Sequence, residues 1–487
     1  MEQAALANAI SPDLISVNRA QLDSYSRDIS FVNQVRPASV VKPKTAADIQ
    51  KIVKFANETG TPLVPISSGP PHFRGDTVPS AGGAVIVDMS GMKKIMLVDR
   101  KRRVVMCEPG VTFAELIPEV EKVGLRLNMP LLPRASKSVV ASILEREPVI
   151  MPKYQWDISD PLACAEIFFG TGDEFRTGQA AGPGSIPEQW AVGGVQKAPY
   201  GPGTASWHRL IQGAQGTMGI VTWVSMRCEI LPSLEEPFMI GSSGLDPLLE
   251  MAYWLVRLRS VNECFILNNT NLAAILAKER PDDFQDLKAT LPTWTLFYTV
   301  AGYEYFPEER VSSQIKDITE ITQRLGVEAK KAVGDVSAHE LLKAIQQPCS
   351  NPYWKLRPSG ACQDVFYLTL REKLGTQLET MNELVQQSGY ASSSLGAYIQ
   401  PVVQGTSYHC EFNLFYDPQN GREVNRVRDL SSLAVKELMT RGAFFSRPYG
   451  ESTRMIVNRD AASLSVLSKL KRIFDPNNVM NPGKVCF

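Results

Sequence analysis

The sequence predicts an α+β fold with two domains, and three observations support that prediction. Helix and strand patterns alternate from residue 36 to about residue 130, and a hairpin pattern follows at residues 165–176. Between residues 238 and 459, helical stretches are separated by apolar strands such as Trp294–Val300. Strands mixed with helices in this way are typical of α+β proteins. A chain of 487 residues is long enough for two or three domains.

The domain boundary is predicted where the pattern restarts, at the proline-containing stretch Leu231–Pro237. We therefore expect one domain over residues 1–235 and a second over residues 236–459. The apolar strands and helical stretches of the second domain favour an antiparallel sheet with helices on one face. Those helical stretches are Leu245–Arg259, Glu308–Leu325 and Lys373–Ser388.

Composition and charge exclude several function classes. The formal net charge is +0, so the chain as a whole has no attraction to nucleic acid or to an anionic membrane. No apolar run reaches the length of a membrane span, and the first residues lack the pattern of a signal peptide. The eight cysteines are scattered without a Cys-x-x-Cys pair, which predicts no metal site and a reduced, cytoplasmic protein.

The first element that points to chemistry is a loop of small and stiff residues. It lies between a helical pattern at Ala46–Ala56 and a strand at Ala84–Met89. Small side chains let backbone N–H groups approach an anion such as a diphosphate, although proline contributes no N–H. The residues that we expect to meet a cofactor here are Ser67, Ser68, Gly69, Pro70, Pro71 and His72.

The elements that follow have clear local signals. Ile95–Val98 and Arg103–Cys107 are predicted to pair as strands, and the apolar stripe of Thr112–Gly124 predicts an amphipathic helix. A hairpin is expected at residues 165–176, with its turn at Gly172-Asp173. Residues 179–206 are predicted to be a long loop, because glycine and proline interrupt them repeatedly.

Five segments in order resemble the FAD-binding fold of the vanillyl-alcohol oxidase/p-cresol methylhydroxylase (PCMH) family. They are Arg36–Thr45, Ser138–Arg146, Ala165–Gly178, Gln212–Thr222 and Phe474–Lys484. The resemblance covers residues 36–232 and 460–487 well and the middle of the chain only weakly. It implies FAD as cofactor, a PCMH-type FAD-binding domain and an antiparallel-sheet substrate (cap) domain. It also implies that residues 460–487 return to the FAD-binding domain.

The same resemblance implies further cofactor contacts and shows where this chain departs from the family. The implied contacts are Ser138, Ser142, Gly216, Gly219, Ile220, Asn481 and Lys484. Pro70-Pro71 stands where relatives have Thr-Gly or Gly-His, which displaces His72 from the position at which relatives attach the flavin. The stretch Pro133–Lys137 lacks the Asp of the phenol oxidases. These departures predict a flavin that acid releases.

A strand in the second domain carries the first candidate catalytic residue. Alternation over Ser407–Phe415 puts Tyr408 with Cys410 and Phe412 on one face, and His409 with Glu411 and Asn413 on the other. A polar face on an otherwise apolar strand indicates a cavity. His409 can accept a substrate proton near neutral pH.

Two arginines are candidates to bind an anionic group. Arg447 lies among apolar neighbours in Phe444–Glu451, where a buried guanidinium needs an anion. By resemblance, Ser446-Arg447 occupies the place of the phenolate-binding Tyr-Arg of the phenol oxidases. Arg357, in Tyr353–Arg357, resembles the carboxylate-binding Arg of enzymes that oxidise hydroxy acids.

The sequence therefore predicts an FAD-dependent oxidoreductase that transfers a hydride from an alcohol or a para-alkyl phenol to flavin N5. His409, with Tyr408 and Tyr449, would handle the proton, and Arg447 or Arg357 would hold the anion. Two alternatives stay open. The first is an FAD-dependent D-2-hydroxy acid dehydrogenase, which Arg357 and Glu451 favour. The second is an FAD-binding electron-transfer subunit of a complex. The partner is a small-molecule substrate, while a protein electron acceptor and a homodimer stay open.

Overall fold

The computed structural model describes residues 2–152, 161–201, 203, 207–277 and 281–487. The part of the predicted loop at Pro202 and 204–206 lies outside the described residues. Elsewhere that loop contains a short helix and two 3₁₀ turns, which the sequence reasoning did not predict.

The first sheet is small and mostly parallel. Its order is β1-β2-β4-β3, with only β1 antiparallel to its neighbour. The third helix begins at Thr45, whose hydroxyl accepts from the N–H of Asp48 in a capping box, and it ends at Gly60 in the left-handed conformation. The elements are α1 (Glu2–Ala9), α2 (Arg19–Ser24), α3 (Ala46–Thr59), β1 (Ile15–Ser16), β2 (Ser39–Val41), β3 (Leu63–Ile66) and β4 (Val85–Asp88).

The second sheet is antiparallel and confirms the predicted hairpin and strand pair. Its order is β5-β6-β10-β8-β9, and β7 also pairs with β10. The helix predicted at Thr112–Gly124 spans Phe113–Glu121, with Thr112 as its N-cap. The elements are β5 (Ile95–Asp99), β6 (Val104–Cys107), α4 (Phe113–Glu121), β7 (Leu125–Leu127), α5 (Val139–Leu144), β8 (Leu162–Phe169), β9 (Glu174–Arg176), α6 (Ile186–Val192), α7 (His208–Ile211) and β10 (Gly219–Ile230).

The third sheet is fully antiparallel, with order β11-β13-β12-β17-β18-β16. Its strands are β11 (Leu234–Ser242), β12 (Cys264–Asn268), β13 (Trp294–Gly302), β16 (Ala361–Thr369), β17 (Leu395–Val402) and β18 (Ser407–Tyr416); β14 (Ala332–Val333) and β15 (Val336–Ser337) form a separate pair. Its helices are α8 (Asp246–Arg257), α9 (Asn269–Leu276), α10 (Pro281–Thr290), α11 (Pro307–Leu325), α12 (Ala338–Ile345), α13 (Arg371–Ser388) and α14 (Gly421–Thr440).

Helices cover both faces of this sheet, which corrects the expectation of helices on one face. The long helices α8, α11, α13 and α14 pack on one face, while α9 and α12 cover part of the other. The remainder of the second face is polar and faces the first two sheets. The sequence reasoning also missed α14, although it is 20 residues long.

The chain end packs on the first sheet. After α15 (Ser452–Val457) and α16 (Ala461–Phe474), residues 479–481 run beside β3. The N–H of Leu63 donates to the carbonyl of Val479 at 2.7 Å, and the N–H of Asn481 donates to the carbonyl of Leu63 at 2.8 Å. Asp475 fixes this turn by accepting from the N–H groups of Val479 and Met480.

Candidate active site

A cavity of about 160 Å³ lies where the polar face of the third sheet meets the loop after β3. The loop contributes Ser67, Ser68 and the stretch His72–Arg74, and the third sheet contributes Asp364, Tyr398 and Glu411. Arg447, from the segment before α15, closes one side. The cavity therefore lies between the two predicted domains.

A second cavity, of about 110 Å³, continues the first toward β10. Both cavities are lined by Pro65, Ser67, Asp76, Ala141 and Glu145, so together they form one elongated space. The far part is bounded by the backbone of Gly213–Ile220 and by apolar side chains of α5 and β8. An elongated space with hydroxyls and cations at one end and apolar, glycine-rich walls at the other suits a dinucleotide cofactor.

The wall on the loop side is a network of paired charges. Arg74 donates to Glu145 at 2.6 Å and to Glu147 at 3.2 Å, and Lys137 donates to Glu145 at 2.6 Å. Burial opposes the ionisation of Glu147, but Lys137 and Arg74 outweigh it and lower its pKa to about 2. Asp76 lacks such a partner, and burial together with Glu145 raises its pKa to about 6.

The opposite wall is a second network, on the third sheet. Lys355 donates to Asp364 at 2.6 Å and also to Glu411. The side-chain amide of Asn413 donates to Asp364 at 2.7 Å and to Glu411 at 2.8 Å. Burial would raise the pKa of Glu411, yet Lys355 holds it well below its usual range. Glu411 is therefore an ionised carboxylate on the cavity surface.

His409 lies behind that carboxylate and does not line the cavity. It is 2% exposed, its Nε2 is 3.4 Å from Glu411 Oε2, and its ring centroid is 5.3 Å from that of Tyr398. Burial lowers its pKa, with Glu411 opposing, so the imidazole is neutral near pH 7. His409 can therefore act on a substrate only through Glu411.

Arg447 is buried and forms no ion pair with a described residue. It is 7% exposed, and its guanidinium lies 4.4 Å from the ring centre of Phe366. Its one hydrogen bond to a described residue is a long one, 3.4 Å from Nη1 to the carbonyl of Glu145. Burial and the neighbouring Arg74 lower its pKa, while Glu147 and Glu411 act on it from a distance. A bound anion would offset the free-energy cost of burying this positive charge.

Arg134 is a second guanidinium of this kind, which the sequence reasoning passed over. It is 8% exposed, lines the cavity beside His72 and lies 5.4 Å from the ring centre of Phe73. Its Nη1 is buried without a partner among the described residues. Burial lowers its pKa, and no described carboxylate forms an ion pair with it.

The predicted cofactor residues divide into two groups. Ser67, Ser68, His72, Gly216, Gly219 and Ile220 line the elongated space. The others lie behind its surface: Gly69 and Pro70 bond to Ser136, Ser138 caps α5, Ser142 donates to Glu147, and Asn481 donates to the carbonyls of Asp76 and Gln215. Pro71 and Lys484 are not among the lining residues either, and Pro70-Pro71 is a cis peptide.

Two of the predicted catalytic residues lie on the elongated space: Arg447 on the first cavity and Tyr449 on the second. Three others do not, which corrects the expectation that they meet a substrate. Tyr408 is on the helix-covered face of β18. Arg357 donates to the carbonyls of Ala274, Ile275 and Ala277 at the end of α9. Glu451 is half exposed and pairs with Arg428 at 2.6 Å, and it lines an outer cavity on the other side of Arg447.

Several cavity residues were not singled out from the sequence. They are Arg74, Asp76, Arg134, Lys137, Glu145, Glu147, Lys355, Asp364 and Tyr398. Lys355 and Arg74 each stand two positions from a residue that was singled out, Arg357 and His72; His72 lines the cavity as well, whereas Arg357 does not. Alternation along β16 could have found Asp364, because it is a charged residue in an apolar strand.

Comparison with known proteins gives the same class as the fold. Residues 37–146 match a family model described as "FAD binding domain", and residues 453–485 match "FAD linked oxidases, C-terminal domain". These two segments lie on the elongated space and on the strand beside β3. The chain is an FAD-linked oxidase or dehydrogenase.

Several relatives match nearly the whole chain at low identity. The chain is 23% identical to the 4-cresol dehydrogenase [hydroxylating] flavoprotein subunit of Pseudomonas putida, over 98% of this chain and 93% of that protein. It is also 23% identical to the mitochondrial D-lactate dehydrogenase [cytochrome] of Arabidopsis thaliana, over 93% and 74%. A solved p-cresol methylhydroxylase with bound substrate matches with a TM-score of 0.84 at 19% identity, covering 100% of this chain and 96% of the other. Over nearly its whole length the chain is thus similar to FAD-linked oxidoreductases of the PCMH/vanillyl-alcohol oxidase type.

A search of the described helices finds none that combines the length and apolar character needed to span a bilayer. Nor do the described residues contain a cluster of three or more His, Cys, Asp or Glu that could hold a metal ion.

Proposed function

We propose that this protein oxidises a small aromatic alcohol or a para-alkyl phenol and binds the ionised oxygen of that substrate with Arg447. The single observation that carries this proposal is a buried guanidinium that lines the cavity without an ion pair to any described residue. A buried cation without an anion is costly, and a substrate oxyanion removes that cost.

The other walls of the cavity suit an aromatic ring. Phe73, Tyr353, Trp354 and Tyr398 line it, and Phe366 stacks on the far side of Arg447. Aromatic side chains pack well against a flat ring and hold it by its faces and edges. An aliphatic hydroxy acid would gain less from such walls. The D-2-hydroxy acid alternative also rested on Arg357 and Glu451, which lie outside the cavity.

FAD, when bound, accepts a hydride from the substrate carbon. The residues that we propose hold it are those of the elongated space: the hydroxyls of Ser67 and Ser68 with Lys137 near the polar groups, and the backbone of Gly216–Ile220 at the apolar end. Gly216 is required there, because a Cβ would lie 2.4 Å from Pro65.

Side chains of the protein stabilise the negative charge of the substrate oxygen and accept the O–H proton. Arg447 stabilises the ionised phenolic oxygen, which donates electron density through the ring to the para position and so favours loss of a hydride from the substituent carbon attached there. For an alcohol, the O–H proton leaves as well. Glu411 faces the cavity as a carboxylate, and we propose that the proton passes through it to neutral His409 behind it. Lys355 and Asn413 keep Glu411 in position during that transfer.

The electron acceptor is proposed to be a protein. Two relatives carry such a partner in their names, one as a "flavoprotein subunit" and the other as a dehydrogenase "[cytochrome]". A homodimer stays a prediction.

Anaerobic mixing with a substrate panel tests the proposal. The panel contains 4-ethylphenol, 4-hydroxybenzyl alcohol, D-lactate and D-2-hydroxyglutarate, and the readout is bleaching of the flavin absorbance. We expect the two phenolic compounds to bleach the flavin and the two hydroxy acids to leave it oxidised. Bleaching by the hydroxy acids alone, or by none of the four with FAD fully bound, would contradict the proposal.

A further inference from the structure

The cavity contains two buried guanidiniums that form no ion pair with a described residue. With the polar groups of FAD assigned to Ser67, Ser68 and Lys137, a simple phenol or alcohol supplies only one further anionic oxygen. Arg134 and Arg447 are 8% and 7% exposed, and both line the same space. Neither forms an ion pair with a described residue. The other cations of the cavity walls, Arg74, Lys137 and Lys355, each bond directly to carboxylates.

We propose that Arg134 is a specificity-determining residue that binds a carboxylate on the substrate, so that the preferred substrate carries two anionic groups, an ionised oxygen and a carboxylate. This inference rests on the proposed function, because it takes Arg447 as the partner of the oxygen.

The position of Arg134 supports a second, separate anion. Arg134 stacks on Phe73 at 5.4 Å, while Arg447 stacks on Phe366 at 4.4 Å. Arg74 lies over Phe366 at 5.2 Å, and its own charge is already matched by Glu145 and Glu147. The two guanidiniums therefore stack on different aromatic rings, Arg134 on Phe73 and Arg447 on Phe366. This arrangement fits a ligand with two anionic groups at different positions better than one small anion bound by both arginines.

The surroundings of Arg134 also argue against a merely structural role. A structural buried arginine normally donates to carbonyls, as Arg357 does to three of them at the end of α9. Arg134 has no such bond from its side chain to a described residue, and its Nη1 is buried without a partner. A carboxylate would accept from this group and remove the cost of leaving it unpaired.

The test is a binding titration that does not depend on turnover. Phenol and 4-hydroxybenzoate both lack a benzylic C–H, so neither can deliver a hydride from that position, and the second differs by one carboxylate. Their Kd values are measured on the FAD-loaded protein from the perturbation of the flavin spectrum. We expect 4-hydroxybenzoate to bind about 10- to 100-fold more tightly than phenol, the range of one charge-assisted hydrogen bond.

Variants assign that preference to a residue. Arg134→Gln is expected to bring the two Kd values within about threefold by weakening 4-hydroxybenzoate alone, and Arg134→Lys should keep most of the preference because it keeps the charge. Arg447→Gln should weaken both ligands. Arg428→Gln, an exposed arginine that pairs with Glu451, is the control and should change neither. FAD content and thermal melting establish that each variant is folded.

Equal affinity of the native protein for the two ligands would overturn the inference, and so would an Arg134→Gln variant that weakens both equally. A variant that keeps the preference but shifts the flavin reduction potential would assign Arg134 to the flavin and would also overturn it. These outcomes are independent of the substrate panel, because the panel reads hydride transfer and the titration reads binding alone.

Discussion

Two buried charge clusters in this protein differ in whether their arginines have ion-pair partners among the described residues. The first lies between the second and third sheets, where Arg126 of β7 bonds to Glu235 at 2.8 Å and to Glu263. The second is the cavity, where Arg447 and Arg134 have no described ion-pair partner. Arg126, Arg134 and Arg447 are buried to a similar degree, at 8%, 8% and 7% exposed, so exposure of the arginines does not explain the difference.

In the first cluster every charge is satisfied within the protein. Gln346 donates to Glu235 at 2.7 Å, and the hydroxyl of Thr299 donates to Glu263, which is 0% exposed. Burial would lower the pKa of Arg126, but Glu263 and Glu235 raise it. A complete cluster of this kind joins two parts of the fold. A cluster whose arginines have no described ion-pair partner can bind an anionic ligand. This contrast indicates that the ligand binds in the cavity with Arg134 and Arg447.

Removing the arginine of the complete cluster is expected to have the largest effect. Arg126→Met leaves Glu263 buried without its cation, and breaking a buried pair from one side costs about 3–5 kcal/mol. We expect a loss of that size in the free energy of unfolding, measured by denaturant titration of the FAD-loaded protein. Replacing Glu263 and Glu235 by Gln in the same variant should recover part of the loss. A loss below about 1 kcal/mol would show that this cluster does not differ from a surface pair.

Removing the unpaired arginine should affect activity and spare stability. Arg447→Ala removes a charge-assisted bond to the substrate oxygen, worth about 2–3 kcal/mol. We therefore expect kcat/KM for the best phenolic substrate to fall about 30- to 150-fold, with FAD content unchanged. Steady-state kinetics and flavin absorbance check both parts. If turnover barely changes, Arg447 does not bind the substrate oxygen. The absence of a described ion-pair partner would then not indicate a binding site.

The pH dependence of stability gives a third test. Burial, together with Arg134 and Lys137, lowers the pKa of His72 to about 3. Between the unfolded pKa of about 6.5 and the folded value, the unfolded chain binds a proton that the folded protein does not. Native protein should therefore lose up to about 1.4 kcal/mol per pH unit relative to His72→Asn as the pH falls below about 6. Above about pH 7 the difference should be constant. A difference that stays constant down to pH 4 would mean that His72 is solvated.

The exposed pair Arg428–Glu451 should show the smallest effect. Both side chains are about half exposed, and such pairs contribute between zero and about 1 kcal/mol. Arg428→Met is expected to change the free energy of unfolding by less than about 1 kcal/mol, and added salt should reduce even that. A loss as large as that of Arg126→Met would be incompatible with the assignment of this pair to the surface.

The state of the flavin linkage stays a prediction of the sequence. His72 lines the cavity, but Pro70-Pro71 shifts it relative to the relatives that attach the flavin. We expect acid precipitation to release the colour into the supernatant. Colour retained in the pellet would contradict this, and His72→Asn and His409→Asn would then identify the attached residue.

Features that depend on a few consecutive residues can be predicted from the sequence. The capping boxes at Thr45 and Thr112, the hairpin turn at Gly172-Asp173 and the glycine-rich approach to β10 are local requirements of the backbone, so short motifs indicate them. The FAD-binding class follows from such motifs in order. Alternation along β18 also separated Tyr408 correctly from His409 and Glu411.

Which charged side chains form pairs depends on the tertiary fold. Arg74 bonds to Glu145 across 71 positions and Lys355 to Glu411 across 56, and no local pattern encodes such pairs. For this reason the sequence could not show that Arg357 caps a helix, that His409 lies behind a carboxylate, or that Arg134 faces the cavity. The free energy of a buried charge depends on its partners in space, and spacing along the chain does not fix those partners.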